Sequence, residues 1–200
     1  MSEKLVSKED RFDNFKYWIK DKIDVEKRRI MIDQDITKEG VGELIRALRR
    51  MVDTNLKDPI DIHIMSDGGD CYAGLALYDA LEGLRDYVKI RTHAIGIVAS
   101  MGLIIYLAGK ERYATKRARF LAHSVSADSG NGKVFELKID TKETAELHSI
   151  NLDILAERTH KTKKWWEKEI EYKDKFYNQE QAVKLGIVNN EGDDFGWDIG

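Results

Sequence analysis

The sequence has almost no cysteine or proline, and it has no long apolar run. Among its 200 residues, Cys71 is the single cysteine and Pro59 is the single proline. One cysteine excludes an internal disulfide framework and favours a reducing compartment. The longest apolar run, over residues 95–109, falls short of the about 20 residues that span a bilayer, and the charged start of the chain is unlike a secretory signal. We therefore expect a cytoplasmic protein that does not enter a membrane.

An excess of charge of one sign is also missing. The chain carries 33 Lys and Arg against 36 Asp and Glu, for a formal net charge of -3. This balance argues against a nucleic-acid partner, and the basic and aromatic residues over 163–166 are followed at once by Glu167, as on a solvated helix face. A hydrophobic content of 42% is enough for one domain with a sizeable core. We expect that domain over residues 29–189, after a charged segment over 1–28 and before an acidic tail over 190–200.

Three common kinds of site are absent from the sequence. Cys71 has no second cysteine, and no two histidines have the spacing of metal ligands on one helix, so we expect no metal. There is no Gly-Lys-Ser/Thr loop to bind nucleotide phosphates, and we expect no cofactor. The nucleophile elbow Gly-x-Ser-x-Gly is incomplete around Ser100, because Val98 stands at its first glycine.

In the first half of the chain, strand and helix patterns alternate. Strands are predicted over residues 29–33, 60–65 and 88–95. Amphipathic helices, with apolar positions every three or four residues, are predicted over residues 37–54, 73–84 and 101–109. In the second strand the isoleucines share one face, and Asp61 and His63 lie on the other. Strands joined by helices of this length usually pair in parallel, so the pattern predicts an α/β fold with a mostly parallel sheet.

After residue 109 the pattern changes. Two short strands are predicted over 111–115 and 118–122, and the alternation over 134–139 is typical of an exposed strand. Helices follow over residues 141–160, 162–172 and 178–185. In the first of these, Thr141 and Thr144 are candidate caps, and its wide apolar surface favours a subunit interface. A short docking helix is expected within residues 12–19.

Ser100 lies where a β-branched strand runs into a buried helix. The first helical turn has backbone N–H groups without partners, and these carry partial positive charge that suits an oxyanion. Ser100 is therefore a candidate nucleophile. The alternative is that it only caps the helix, since serine is a preferred N-cap for any helix.

The other parts of a serine hydrolase lie at the ends of predicted elements. His123 follows a strand and is a candidate base, and Asp174 follows a helix and is a candidate to orient that base. The N–H groups of Gly69 and Met101 are candidate oxyanion donors, because a residue without a side chain lets the substrate approach the backbone. A turn glycine, a loop aspartate and a structural histidine are the alternatives for these residues.

Together these residues resemble the Clp protease proteolytic subunit (ClpP) family of serine peptidases, over about residues 29–189. The family's Ser-Pro-Gly-Gly stretch is similar to residues 66–69, with Asp in place of Pro. Its nucleophile motif is similar to residues 99–102, and its Arg-Asp-x-Phe segment is similar to residues 173–176. His123 falls where the family's base ends a strand, although Ser and Val follow it in place of Gln and Pro.

The resemblance implies a crotonase-like fold of repeated strand-helix units, with a protruding handle made of the strand near residues 133–139 and the helix that follows. It implies that Ser100 is the nucleophile, His123 the general base and Asp174 its orienter, with Gly69 and Met101 as oxyanion donors.

The resemblance also implies partners. The segment Gly68, Gly69, Asp70 and Cys71 would bind a polypeptide substrate as an added strand, a mode that reads the backbone more than the side chains. Stacked heptameric rings would enclose the reaction, and a hexameric Clp ATPase is a further candidate partner.

We therefore predict a serine endopeptidase that hydrolyses unfolded polypeptides inside an oligomeric chamber. Two alternatives stay open. The chain could be a catalytically inactive subunit that completes or regulates a ring. It could also be an acyl-CoA enzyme of the crotonase type, which would need an acidic residue over the thioester and no role for Ser100.

Overall fold

The structure is a computed structural model that describes residues 22–126 and 133–190. One mixed sheet and the helices around it make up this part of the chain. The strands are β1 (Ile23–Asp24), β2 (Arg29–Ile32), β3 (Ile60–Ser66), β4 (Ile90–Ala99), β5 (Glu111–Ala114), β6 (Arg119–Ala122) and β7 (Lys175–Asn178). The helices are α1 (Lys38–Thr54), α2 (Cys71–Leu84), α3 (Met101–Leu107), α4 (Val134–Arg158), α5 (Lys163–Ile170) and α6 (Gln179–Leu185).

The sheet is parallel in its centre and antiparallel at its two ends. Its strand order is β1-β2-β3-β4-β6-β7, and β5 pairs with β4 beside this path. Strands β2, β3, β4 and β6 run in parallel, while β1 and β7 are antiparallel to their neighbours. The predicted α/β class and mostly parallel sheet are thus confirmed.

Strand β4 organises the sheet because it pairs with three other strands. Its first half, Arg91–Ala94, pairs with β5, and its last residues, Ile97–Ala99, pair with β6 on the same edge. Gly96 lies between the two halves with a φ of 63°, a conformation that a residue without a Cβ adopts easily. The carboxyl ends of β3, β4 and β6 therefore meet at one edge of the sheet.

The core is built from the apolar faces of the sheet and helices. All seven residues of α3 are buried, which explains its nearly continuous apolar sequence. The chain after Thr37 forms α1 as predicted, and the Thr37 hydroxyl accepts a hydrogen bond from the Gly40 N–H. No helix in the described part of the chain has the length and apolar character needed to cross a membrane.

The exposed strand predicted over residues 134–139 is wrong. These residues form the first turns of α4, a helix of 25 residues. The Lys133 N–H donates to the Glu136 carboxylate at 2.8 Å, a local bond that stabilises a helix start. The predicted caps Thr141 and Thr144 lie inside the helix, and their hydroxyls donate to the carbonyls of Leu137 and Asp140 one turn earlier. In the predicted handle, the strand is therefore replaced by helix.

Two edge strands were not predicted. The first is β1, which pairs with β2, and the second is β7, which pairs with β6. Both are short and carry charged residues, so their sequences give little alternating apolar signal. The predicted docking helix within 12–19 lies outside the described residues, as do most of the tail over 190–200 and part of the loop between β6 and α4.

A buried polar cluster lies on one face of the sheet. Asp61 is 4% exposed, and it accepts two hydrogen bonds from the Arg91 guanidinium, at 2.7 and 2.6 Å. The His93 Nε2 lies 2.8 Å from the same carboxylate, and the His93 ring stacks between the rings of His63 and Tyr113. The face predicted for Asp61 and His63 is therefore covered by side chains from neighbouring strands.

The Asp61 carboxylate is expected to make the stability of the fold depend on acid pH. Burial alone would raise the pKa of Asp61, but hydrogen bonds from His93 and Arg91 bring it below its ordinary value. Such a group stabilises the fold above its unfolded-state pKa of about 3.9, and the contribution disappears as the pH falls through the lower folded value. Asp61→Asn is expected to lower the free energy of unfolding by roughly 2 kcal/mol at pH 7. It is also expected to make the loss of stability between pH 7 and pH 3 less steep.

Urea unfolding between pH 3 and 7, at one protein concentration, measures both effects. A variant that loses stability in acid as steeply as the wild type would contradict this assignment to Asp61.

Candidate active site

Ser100 has a backbone conformation that few residues with a side chain adopt. Its φ is 54° and its ψ is -126°, and strain of this kind is concentrated at functional sites. The Ser100 N–H donates to the Leu121 carbonyl at 3.0 Å, and its own carbonyl accepts from the Leu103 N–H at 3.0 Å. Neighbouring backbone on both sides thus holds the turn between β4 and α3.

The Ser100 hydroxyl does not cap the helix that it precedes. Its side chain makes no cap hydrogen bond, unlike those of Thr37, Asp70 and Asn178 at the starts of other helices. The simple N-cap interpretation is therefore wrong. A half-buried serine with a strained backbone and an uncommitted hydroxyl suits a nucleophile better than a structural role.

Gly68 packs directly against Ser100. A Cβ built on Gly68 would lie 2.6 Å from the Ser100 Cβ and 3.0 Å from its Oγ, and the φ of Gly68 is 116°. Contact and conformation therefore both require glycine here. Gly68 fixes how close the loop after β3 comes to the candidate nucleophile.

Gly68→Ala is expected to reduce catalysis by at least about 100-fold, because Ser100 must move to accommodate the new methyl group. A matched control is Gly83→Ala in α2, where an added Cβ meets nothing within 4 Å and the change favours helix. Peptidase assays on both variants, with circular dichroism to check folding, measure the effect. Equal activity in the two variants would show that the contact between Gly68 and Ser100 is not needed for activity.

Just before α2, Gly69 forms an isolated parallel bridge with Ile36. The Ile36 N–H donates to the Gly68 carbonyl at 2.7 Å, and the Asp70 N–H donates to the Ile36 carbonyl at 2.9 Å. Because backbone groups alternate along a strand, the N–H and carbonyl of Gly69 face away from Ile36. A Cβ on Gly69 would lie 2.4 Å from the Ile36 oxygen, so only glycine fits this close pairing.

Two backbone donors at the site have no acceptor. Within residues 22–126 and 133–190, the N–H groups of Gly69 and Met101 donate to no protein group. The Met101 N–H belongs to the first turn of α3, where helical N–H groups lack partners and carry partial positive charge. These are the two donors that the sequence analysis proposed for the oxyanion.

His123 is positioned by the residues on either side of it. Ala122, the last residue of β6, pairs with Lys175 of β7, and the Ser124 hydroxyl donates to the Ile170 carbonyl at 2.8 Å. His123 and Ser100 line the same small cavity. They follow adjacent parallel strands, so the sheet brings the candidate nucleophile and base to one edge.

Asp174 lies opposite His123, at the end of the antiparallel pairing of β6 and β7. The pair Ala122 and Lys175 is the last of the antiparallel register, so His123 and Asp174 are the next residue on each strand. The Asp174 side chain is exposed and does not line the cavity. In the part of the chain that the structure describes, no hydrogen bond joins the side chains of Ser100, His123 and Asp174 to one another.

The remaining residues of the predicted substrate segment have separate surroundings. The Asp70 carboxylate accepts from the Ala73 N–H at 2.8 Å and caps α2. Cys71 lines the cavity beside Ser100. Burial, and then the charge of Asp70, raises the pKa of the Cys71 thiol, so the thiol stays protonated at neutral pH and does not compete as a nucleophile.

The cavity at Ser100 has a volume of about 100 Å³ and is lined by both apolar and polar side chains. Asn151 of α4 also lines it, and the sequence analysis did not identify this residue. A lone asparagine in an amphipathic helix gives no sequence signal of its own. Among the described residues, no group of three or more metal-ligating side chains occurs, and no acidic side chain lines this cavity.

The chain is similar to known proteins over most of its length. The family model described as Clp protease matches residues 15–192. The ATP-dependent Clp protease proteolytic subunit of Deinococcus radiodurans is 26% identical over 180 residues, which are 89% of this chain and 83% of that protein. The solved structure of a ClpP1 mutant from Listeria monocytogenes superposes with a TM-score of 0.74 at 25% identity, over 86% of this chain and 96% of that one.

Proposed function

The chain belongs to the Clp protease family of peptidases, and from this premise we propose that it is a serine endopeptidase with Ser100 as its nucleophile. The observation that carries the proposal is the strained turn at Ser100, where a hydroxyl that does not cap α3 lies near two backbone N–H groups without acceptors among the described residues. In this proposal His123 is the general base and Asp174 orients it. The proposed location is the cytoplasm.

The proposed reaction follows from this geometry. The Ser100 Oγ attacks the peptide carbonyl carbon while His123 takes the hydroxyl proton, and the carbonyl oxygen becomes an oxyanion that accepts from the Gly69 and Met101 N–H groups. The C–N bond then breaks, and His123 gives the proton to the leaving amine. Water, activated by His123, hydrolyses the acyl-enzyme and restores the Ser100 hydroxyl.

The free edge at Gly69 supports a polypeptide substrate in extended form. Its N–H and carbonyl point away from Ile36, so a substrate strand can pair with residues 68–70 on the side opposite to Ile36. Cys71, the last residue of the predicted segment, begins α2 and does not belong to this edge. Pairing of this kind uses main-chain hydrogen bonds, which every polypeptide offers. Unfolded chains of varied sequence therefore fit the site better than folded proteins do.

The first half of α4 supports assembly into rings. Phe135 is 72% exposed, Ile139 51% and Leu137 40%, and the polar residues between them are exposed as well. A helix that exposes several apolar side chains favours a contact between subunits. We propose that it joins stacked heptameric rings around a chamber, and that a hexameric Clp ATPase is a candidate partner.

A fluorophosphonate probe tests the nucleophile, and the mass in solution tests the assembly. The probe is expected to label the assembled wild type at Ser100 and to leave Ser100→Ala unlabelled. Light scattering during gel filtration is expected to give the same ring-sized mass for both proteins. Wild-type protein that assembles but takes up no label contradicts the proposed activity.

One observation favours a second candidate, a ring subunit without catalysis. The side chains of Ser100, His123 and Asp174 are not hydrogen-bonded to one another in the described residues, so the triad is not joined in this conformation. A structural subunit would assemble normally and would neither react with the probe nor cleave peptides. The crotonase-type alternative receives no such support, because none of the described residues that line the cavity is acidic.

A further inference from the structure

The cavity beside Ser100 is lined by apolar side chains and by polar ones, among them the side-chain amide of Asn151. Its apolar lining comes from Leu103, Ile104, Ala122, Val125, Leu155 and Ile170. Its volume of about 100 Å³ is about three times the share of one water molecule in the liquid, so it holds a side chain of medium size. Because it opens beside the candidate nucleophile, it suits the substrate side chain on the acyl side of the scissile bond.

The Asn151 amide in this cavity has unused hydrogen-bonding capacity. Its Oδ1 is buried without a partner in the described residues, and its Nδ2 lies 3.8 Å from the Met101 sulfur, which is a weak acceptor. Buried polar groups normally have partners, and an exception in a native structure calls for an explanation. The contact with Met101 also links Asn151 to the residue whose N–H faces the oxyanion position.

The packing around Asn151 limits which groups can form hydrogen bonds with its amide. The neighbouring residues Leu152 and Leu155 are buried in the core, so α4 holds Asn151 at a fixed position. Rotation of the amide by half a turn exchanges its oxygen and nitrogen in place. A ligand group that both donates and accepts can therefore pair with Asn151 in either orientation.

We propose that Asn151 makes the site selective for polypeptides with a carboxamide side chain, above all glutamine, immediately before the scissile bond. This inference rests on the proposed function. The methylene groups of glutamine contact the apolar walls, and its terminal amide pairs with that of Asn151. Leucine leaves the Asn151 amide unpaired. Glutamate must bring a charged carboxylate out of water, and this group accepts but cannot donate to the amide.

Fluorogenic peptides that differ only in this residue test the proposal. With glutamine, leucine and glutamate in turn, the wild type is expected to show a kcat/KM about 10-fold higher for glutamine than for leucine, and the lowest value for glutamate. Asn151→Leu, which keeps the branched shape and the number of heavy atoms, is expected to remove the preference for glutamine over leucine. Ile150→Leu, on the exposed side of the same helix, is the matched control and keeps the wild-type ratio.

The outcomes separate this inference from the activity on which it rests. An unchanged glutamine-to-leucine ratio in Asn151→Leu, with Ser100 still labelled by the probe, overturns the inference alone. Failure of the wild type both to label and to cleave overturns the proposed function and the inference with it. If Asn151→Leu does not assemble, Asn151→Ala, which adds no bulk, gives the same readout on the ratio.

Discussion

Replacement of Ser100 by alanine is expected to lower kcat for peptide cleavage by about 10⁶-fold, with little change in the stability of the fold. The large effect follows because the covalent acyl-enzyme cannot form without the hydroxyl. The small effect on stability follows because the hydroxyl makes no cap hydrogen bond in the folded chain. Steady-state cleavage of a fluorogenic peptide and urea unfolding measure the two quantities.

The other proposed members of the triad give graded results. His123→Ala is expected to cost about as much as Ser100→Ala, since the base and nucleophile act as one unit, and the double variant should lose little more. Asp174→Asn is expected to cost less, about 10⁴-fold, because an orienting carboxylate touches only the imidazole. Ser149→Ala is a serine control in α4, where the hydroxyl accepts from the Lys163 ammonium. If Ser100→Ala retains a tenth of the activity, Ser100 is not the nucleophile.

The apolar periodicity was sufficient to predict the centre of this fold. The strands that become β2, β3, β4 and β6 and the helices between them have strong patterns, because their side chains are buried against one another. The junction at Ser100 was predicted for the same reason. A β-branched run must lie in the sheet, and the apolar stretch after it must be covered on all sides, as α3 is.

The pattern failed where apolar residues are not buried within the chain. Phe135, Leu137 and Ile139 alternate as in a strand, but their exposure shows that no sheet or core selects this spacing. These residues are helical instead, because the Lys133 N–H donates to Glu136 and because the segment continues directly into the buried half of α4. Local alternation without a sheet to join is therefore a weak predictor of a strand.

The candidate site was predicted in part, and its details depend on contacts between distant segments. Residues that end strands were identified because parallel strands bring their carboxyl ends together, as with Gly69, Ser100 and His123. The cavity residue Asn151 was missed, since its role depends on how α4 packs over Met101. The strain at Ser100 also has no counterpart in the sequence, because it arises from the turn between β4 and α3.

Arg112 is the residue whose loss is expected to destabilise the fold most. It is 4% exposed, and within the described residues its guanidinium donates to four backbone carbonyls and to no carboxylate. These carbonyls belong to Gly109 after α3, Arg158 at the end of α4, and Gly186 and Ile187 after α6. Carbonyls at helix ends lack helical partners and carry partial negative charge, so one cation stabilises three helix ends at once.

The charge on Arg112 persists in this buried position. Burial, and then the nearby Arg158, lowers the pKa of Arg112 to about 10, so the guanidinium remains protonated at neutral pH. The planar group has donors in several directions, which a lysine ammonium on a flexible chain cannot reproduce at four carbonyls. The Gly109 carbonyl also accepts from the Arg158 guanidinium at 2.8 Å, so loss of Arg112 mainly affects the carbonyls of Arg158, Gly186 and Ile187.

Arg112→Met is expected to lower the free energy of unfolding by roughly 4 kcal/mol, because it removes charge-assisted hydrogen bonds and leaves buried carbonyls without donors. Arg117→Met is the matched control, since Arg117 is exposed and its loss should change stability by less than about 0.5 kcal/mol. Urea unfolding at pH 7 and one protein concentration measures both. Arg112→Lys should recover less than half of the loss, and a full recovery would mean that charge alone, without the guanidinium geometry, stabilises the three helix ends.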